Sequence, residues 1–166
     1  MRCVRPWTPG AHCPTPIALI LLAQPALASQ VRSDRHLVPK LIEEVLRYDS
    51  PVQIVFRRTT KQFEISGTAI PADATVFVLI GSANRDERKF SQPDTFDLQR
   101  DNRNHLAFGF SAHYCLGAQL ARLEAKVALE ELLSSCPPFV RGAEPVQRVQ
   151  SVLLRGLQSL PLRFAA

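Results

Sequence analysis

The residue best placed to do chemistry in this 166-residue chain is Cys115. It ends the run Phe108-Gly109-Phe110-Ser111-Ala112-His113-Tyr114-Cys115 and is followed by Leu116-Gly117 and a long helical pattern, so the loop is expected to deliver its thiol to the first turn of a helix. Free N–H groups and the positive end of a helix dipole favour a thiolate there, the form that attacks an electrophile or ligates a metal. Gly109 permits a bend that turns N–H groups toward sulfur, and Gly117 lets a flat ligand approach without meeting a Cβ. On residue types alone two readings stand side by side: an ordinary cysteine at a helix end, and a reactive or ligating one.

A second constellation is Glu44 and Arg47, at i and i+3 on one helical face, which by themselves read as a solvated ion pair of about 0.2–0.5 kcal/mol. The remaining cysteines, Cys3, Cys13 and Cys136, are irregularly spaced with no CxxC pair, which argues against a disulfide framework, a zinc knuckle or a redox couple. Cys136 reads as a small apolar packing residue.

The elements that must position these residues follow from periodicity. Ile17 to Gln30 reads as a short apolar helix interrupted at Pro25, followed by the polar turn Arg32-Ser33-Asp34-Arg35. Leu37, Val38, Leu41, Ile42, Val45 and Leu46 recur at helical spacing, with Pro39 in the first turn and Ser50-Pro51 as the stop. Alternation then replaces the helical period: Val52, Ile54 and Phe56, next Phe63 and Ile65, and the β-branched stretch Thr75 to Ile80 predict strands of a small sheet, with turns at Gly67 and Pro71-Ala72-Asp73. Residues 81–114 carry turn formers and little periodicity, which in a compact domain marks a functional or a disordered stretch. Leu116, Leu120, Leu123 and Val127 predict the apolar stripe of a second long helix, with Arg122, Glu124, Lys126 and Glu130 on its other side, and the tail around Gly156 predicts a hairpin. The fold class expected is α+β, mainly α: two long helices, a small β-sheet, an irregular meander and the cysteine loop.

Composition narrows the partners. With 46% hydrophobic residues the chain is long enough for one cored domain. Its 20 Lys and Arg against 15 Asp and Glu are interleaved rather than clustered, and only 7% of residues are aromatic, so a nucleic-acid groove is not expected. Arg2, Arg5, the apolar run Ile17 to Ala23 and Ala26-Leu27-Ala28 imitate a secretory leader, but Pro6, Pro9, Pro14 and Pro16 crowd the approach and seven apolar residues do not span a bilayer. A cytoplasmic location without a membrane span is the expectation.

Phe108-Gly109-x-x-x-His113-x-Cys115-x-Gly117 resembles the haem-binding signature of the cytochrome P-450 family. Glu44-Val45-Leu46-Arg47 resembles its Glu-x-x-Arg motif, placed before a sheet and well ahead of the cysteine loop. Tyr48 to Gln53, Ile70 to Asp73, Ala83 to Asp86, Phe90 with Pro93 to Asp97, and Arg155 to Pro161 resemble further stretches of the family in order and spacing. The resemblance covers residues 17–166 and implies the C-terminal, proximal part of that fold, with residues 1–16 as an unrelated Pro-rich leader. It implies haem b (iron protoporphyrin IX) with Cys115 as axial thiolate, shielded by Phe108 and Gly109, and His113 and Arg57 toward its propionates, with Arg58 as the alternative to Arg57. It makes Glu44 and Arg47 a buried structural pair, and Val52, Ile54, Val55, Leu153 and Leu154 contacts for a small, apolar organic substrate. The implied activity is monooxygenation with O₂ and electrons from a ferredoxin or similar redox partner, docking on a basic surface that includes Arg103 and Arg122.

Three departures qualify the resemblance. Ser111 replaces a second glycine, at about 1–3 kcal/mol of strain if the position needs φ > 0. Thr95 stands where many members have an arginine, with Arg100 available nearby. The long N-terminal portion with the distal, oxygen-activating helix has no counterpart, so the alternative expectation is a truncated, catalytically inactive fragment.

Overall fold

The computed structural model describes residues 14–164, so Cys3, Cys13 and most of the leader lie outside the described residues. Helix α1 (Pro14–Ala23) is apolar and buries Ile17 and Leu21. Pro25 cannot continue it and instead opens α2 (Pro25–Ser33), a break where the sequence predicts one. The Asp34 carboxylate accepts the His36 N–H at 3.0 Å and caps a short 3₁₀ turn, Arg35–Leu37, which runs directly into α3 (Val38–Tyr48). Val38, Leu41, Ile42, Val45 and Leu46 bury the apolar face of α3, as their period requires, and Glu44 and Arg47 are buried with them.

Antiparallel β1 (Ile54–Arg58) and β4 (Thr75–Leu79) pair with Phe56 opposite Phe77, their rings edge to face at 4.8 Å. Between them β2 (Phe63–Ile65) and β3 (Thr68–Ile70) form a hairpin whose two turn residues, Ser66 and Gly67, both take positive φ, the geometry that suits a tight two-residue connection. A one-turn helix α4 (Ile80–Ala83) leads into the irregular stretch. Beyond the cysteine loop comes α5 (Ala118–Ser135), then β5 (Phe139–Arg141), β6 (Gln147–Arg148), β7 (Leu157–Ser159) and β8 (Leu162–Phe164).

The main core joins α1, α2, α3 and α5 through Ile17, Leu21, Val31, Leu41, Val45, Leu129 and Leu133, and extends to Leu98 and Ala107 of the irregular stretch. Arg32 and Arg35 reinforce it by donating to the Leu133 carbonyl at 2.6 and 2.9 Å, which places positive charge at the C-terminal end of α5 where the helix dipole favours it.

Three expectations are corrected. Among the described residues the strands form four separate two-stranded ladders instead of one small sheet, each pairing along one edge only. The tail makes no hairpin of its own: β7 pairs with β6 and β8 with β5, while residues 152–154 contribute only a single bridge from Leu154 to Val52. The stripe Leu116, Leu120, Leu123 and Val127 is exposed, and α5 instead buries Ala118, Ala125, Leu129 and Leu133. Alanine at two of those positions lets the backbone of α5 approach its neighbours closely, which leucine would prevent.

Candidate functional site

Cys115 is exposed and sits three residues ahead of Ala118, in the turn leading into α5, slightly earlier than the first helical turn anticipated for it. The loop fixes its backbone by local hydrogen bonds. Its N–H donates to the Phe108 carbonyl at 2.8 Å, Gly109 N–H donates to Leu106 at 2.8 Å, and Tyr114 N–H donates to Ser111 at 2.9 Å across a 3₁₀ turn, Ser111–His113. The Cys115 carbonyl in turn accepts the Ala118 N–H at 3.2 Å. Gly109 has φ +76°, and a Cβ there would stand 3.1 Å from the His113 carbonyl, so both conformation and space demand glycine. Ser111 has φ +57°, the left-handed conformation that its glycine-like position requires.

Gly117 is different. Its φ is ordinary at −83°, and the only atom near a hypothetical Cβ is Cys115 Sγ at 4.0 Å. Neither strain nor crowding calls for glycine, so what its missing side chain leaves is open space beside the sulfur. An exposed thiol next to that opening, at the positive end of a helix, is a donor that fits a planar metal macrocycle.

Behind the loop lies the Glu44–Arg47 pair, both side chains 0% exposed. Arg47 donates Nε–H and Nη2–H to the two Glu44 oxygens, each at 2.8 Å, and Nη1–H to the carbonyls of Asn84 and Pro93, each at 2.9 Å. Its Nη2 also reaches the Thr95 carbonyl at 3.3 Å, and its central carbon stands 5.4 Å from the centre of the Phe90 ring. Glu44 Oε1 accepts the Asp97 N–H at 2.8 Å and faces Arg100 Nε at 3.4 Å. Arg100 thus supplies the cation that Thr95 lacks. A buried pair with this many partners is an organiser of the surrounding backbone rather than the solvated pair that the isolated motif suggests.

Asn84 is the residue whose role the sequence did not disclose. It is 0% exposed, donates Nδ2–H to Ser50 Oγ at 2.8 Å and accepts the Leu106 N–H on Oδ1 at 2.7 Å. Together with its carbonyl on Arg47, these bonds tie the buried pair to Leu106, where the cysteine loop begins. An asparagine in Ala83-Asn84-Arg85-Asp86 reads as a turn former, and nothing local distinguishes this one.

The other candidates divide. Arg58 forms a bidentate pair with Asp73 at 2.7 Å through both oxygens, whereas exposed Arg57 makes one bond, to the Phe56 carbonyl at 2.7 Å, which favours Arg57 as the arginine available to an external carboxylate. The Asp73 carboxyl is held below its ordinary range by that Arg58 contact. His113 is exposed in the 3₁₀ turn two residues before Cys115. Val52, Ile54 and Val55 are half-buried, the Gln53 N–H donates to the Leu153 carbonyl at 2.8 Å, and Ile54 and Leu154 line an open cleft of about 410 Å³ with Leu79 and Val152. Of the basic surface expected from Arg103 and Arg122, Arg103 is exposed and paired with Asp101, while Arg122 is partly buried against Glu43. Burial pushes the Glu43 carboxyl up, but hydrogen bonds from His105 and Arg122, with the Arg122 charge, overcome it and hold it at about 2.

The result is a helical scaffold with small β ladders that exposes Cys115 ahead of α5 and ties its loop, through Asn84, to a buried carboxylate–guanidinium pair. The cytochrome P450 family model matches residues 21–156, and the chain belongs to the cytochrome P450 family. Cytochrome P450 107B1 of Saccharopolyspora erythraea is 43% identical over 151 residues, which cover 89% of this chain and 37% of that protein. The 6-deoxyerythronolide B hydroxylase of the same organism is 42% identical over 147 residues, 87% of this chain and 36% of the relative. Among solved structures, CYP109Q5 from Chondromyces apiculatus matches with a TM-score of 0.89 at 43% identity, over 95% of this chain and 41% of the other. CYP109E1 from Bacillus megaterium, in complex with testosterone, matches with a TM-score of 0.91 at 33% identity, over 95% and 44%. The chain therefore has a portion of the P450 fold and spans little more than a third of the length of the curated relatives it matches. Among the described residues no helix is long and apolar enough to cross a membrane.

Proposed function

We propose that this chain is the C-terminal, proximal part, residues 17–166, of a bacterial-type haem-thiolate monooxygenase. The activity proposed is insertion of one oxygen atom of O₂ into an organic, apolar substrate, the other leaving as water with two protons and two electrons from a ferredoxin-like donor. The observation that carries the reading is the exposed Cys115 thiol beside the gap at Gly117, in a loop fixed by Phe108 and Gly109. Haem b, when bound, supplies the redox chemistry of O₂ activation.

The chain's own residues bind and orient. Cys115 would hold the haem iron through its sulfur, and the Phe108 carbonyl holds the cysteine backbone through its N–H. With haem bound, Phe108 and Gly109 would shield the sulfur, which is exposed in this structure. His113 and Arg57 offer positive or donor groups to the two propionates, Arg57 being the arginine that Asp73 does not occupy. Glu44 and Arg47, through Asn84, keep Leu106, where the loop begins, in place. Val52, Ile54, Val55, Leu153 and Leu154 give the substrate side an apolar wall, and a cytoplasmic location goes with the family's soluble bacterial members.

The test is spectroscopic. The chain loaded with haem, reduced and treated with carbon monoxide, is expected to show the strongly red-shifted Soret band of a thiolate-ligated ferrous haem, and Cys115→Ala is expected to abolish it. A band that survives the substitution sinks the assignment. The rival reading is a chain that binds haem without turning over. Donor-driven substrate oxidation by the loaded chain excludes that rival; a red-shifted band without oxidation supports it.

A further inference from the structure

A second polar cluster, separate from Glu44 and Arg47, sits between α3 and α5. The Glu43 carboxylate accepts Nε–H and Nη2–H of Arg122 at 2.7 and 3.0 Å, a bidentate pair joining the two helices. His105 Nε2 lies 3.0 Å from the same carboxylate, and its Nδ1 accepts the Ala107 N–H at 3.1 Å, so the ring donates from Nε2 to Glu43. His105 is 3% exposed in its side chain, which makes this bond a fixed one. Arg122 faces the cysteine loop with the rest of its guanidinium: its Nη1–H donates to Tyr114 Oη at 3.0 Å, and its central carbon stands 4.5 Å from the centre of the Phe108 ring. Both of those aromatic residues adjoin the Cys115 backbone. Phe108 accepts the Cys115 N–H, and Tyr114 is its chain neighbour.

We infer that Glu43 and Arg122 are positioning residues for Cys115, a latch from α3 to α5 that clamps Phe108 and Tyr114 and thereby sets the direction of the sulfur. The inference rests on the reading of Cys115 as the iron ligand. It explains why the residue is an arginine: one planar fork grips the carboxylate, covers an aromatic face and reaches a phenol, three tasks beyond a lysine's single point charge. It also explains why a charge pair is held partly buried here, since Glu43 and Arg122 fix each other while His105 fixes Glu43.

Arg122→Lys keeps the charge opposite Glu43 and removes the fork and the flat face; Phe108→Leu keeps the ion pair and removes the ring. In the haem-free 166-residue chain, both are expected to speed amide hydrogen exchange at Cys115 about tenfold while exchange inside α3 stays within about twofold of the parent. With haem added, both are expected to move part of the reduced carbon monoxide band to the shorter wavelength of a haem that has lost its thiolate. A Cys115 amide exchanging at the parental rate in both variants overturns the latch. Acceleration spread evenly over α3, α5 and the loop also overturns it, because that is the signature of a general stability contact. A parent chain without the thiolate band defeats the iron-ligand reading alone, and the haem-free exchange rates still decide the latch.

Discussion

At the scale of single residues, Ser111 and Gly109 occupy the same left-handed region with opposite consequences. Serine there carries about 1–2 kcal/mol of strain, partly offset by the greater unfolded-state freedom of glycine, so Ser111→Gly is expected to stabilise the chain by up to about 1 kcal/mol. Gly109→Ala introduces that strain and a close approach to the His113 carbonyl, and is expected to lower stability by at least about 1–2 kcal/mol. Urea midpoints check both, and shifts in the same direction for the two variants would contradict the backbone argument. Glu43 has a different readout, pH. Its carboxyl is depressed from 4.5 to about 2 in the folded chain, so its contribution is fully present above about pH 4.5 and is lost as pH falls toward 2. The urea midpoint of the parent is expected to fall more steeply across that window than that of Glu43→Gln; parallel profiles would deny Glu43 its ionised, paired state.

At the scale of elements, α3 was legible because its apolar period and its burial coincide, with proline at the start and Ser50-Pro51 at the end. The direction of α5 was not. Both of its sides carry apolar residues, and composition favours the leucine stripe, whereas close approach to α3 selects the side with Ala118 and Ala125. The short ladders β5 to β8 escaped for another reason: strands of two or three residues have no period to detect, and their partners lie up to twenty-odd residues away. The exposed leucines make a measurable difference. Leu120 and Leu123 are 60% and 57% exposed, so Leu120→Gln with Leu123→Gln is expected to reduce binding of a hydrophobic dye while leaving the urea midpoint within about 0.5 kcal/mol of the parent. A large loss of stability would mean that the stripe is buried after all.

For the molecule as a whole, the motif Glu44-x-x-Arg47 was readable as a pair, but its partners were not, since carbonyls of residues 84, 93 and 95 leave no mark in a sequence. Asn84 shows the same limit, because its value comes from Ser50 and Leu106, which folding alone brings to it. Arg47→Ala leaves the Glu44 carboxylate buried with Arg100, 3.4 Å away, as its remaining cation and is expected to cost about 3–5 kcal/mol, most or all of a typical domain's stability. Asn84→Ala strands the Leu106 N–H and is expected to cost about 1–3 kcal/mol, read by chemical denaturation; a smaller loss than from an exposed substitution such as Gln99→Ala would remove Asn84 from the network.

The converging carbonyls around Arg47 have a consequence for how far the chain tolerates changes of length. Residues 84 to 95 wrap one guanidinium at fixed spacing, so an inserted or deleted residue there pulls an acceptor out of register with a cation that has no water to turn to. The hairpin tip at Ser66-Gly67 is exposed, with open space around the glycine, and extra residues can be spliced in at that point without touching the helices. Grafting and tagging belong at that tip, and the stretch around Pro93 is the one to leave at its present length.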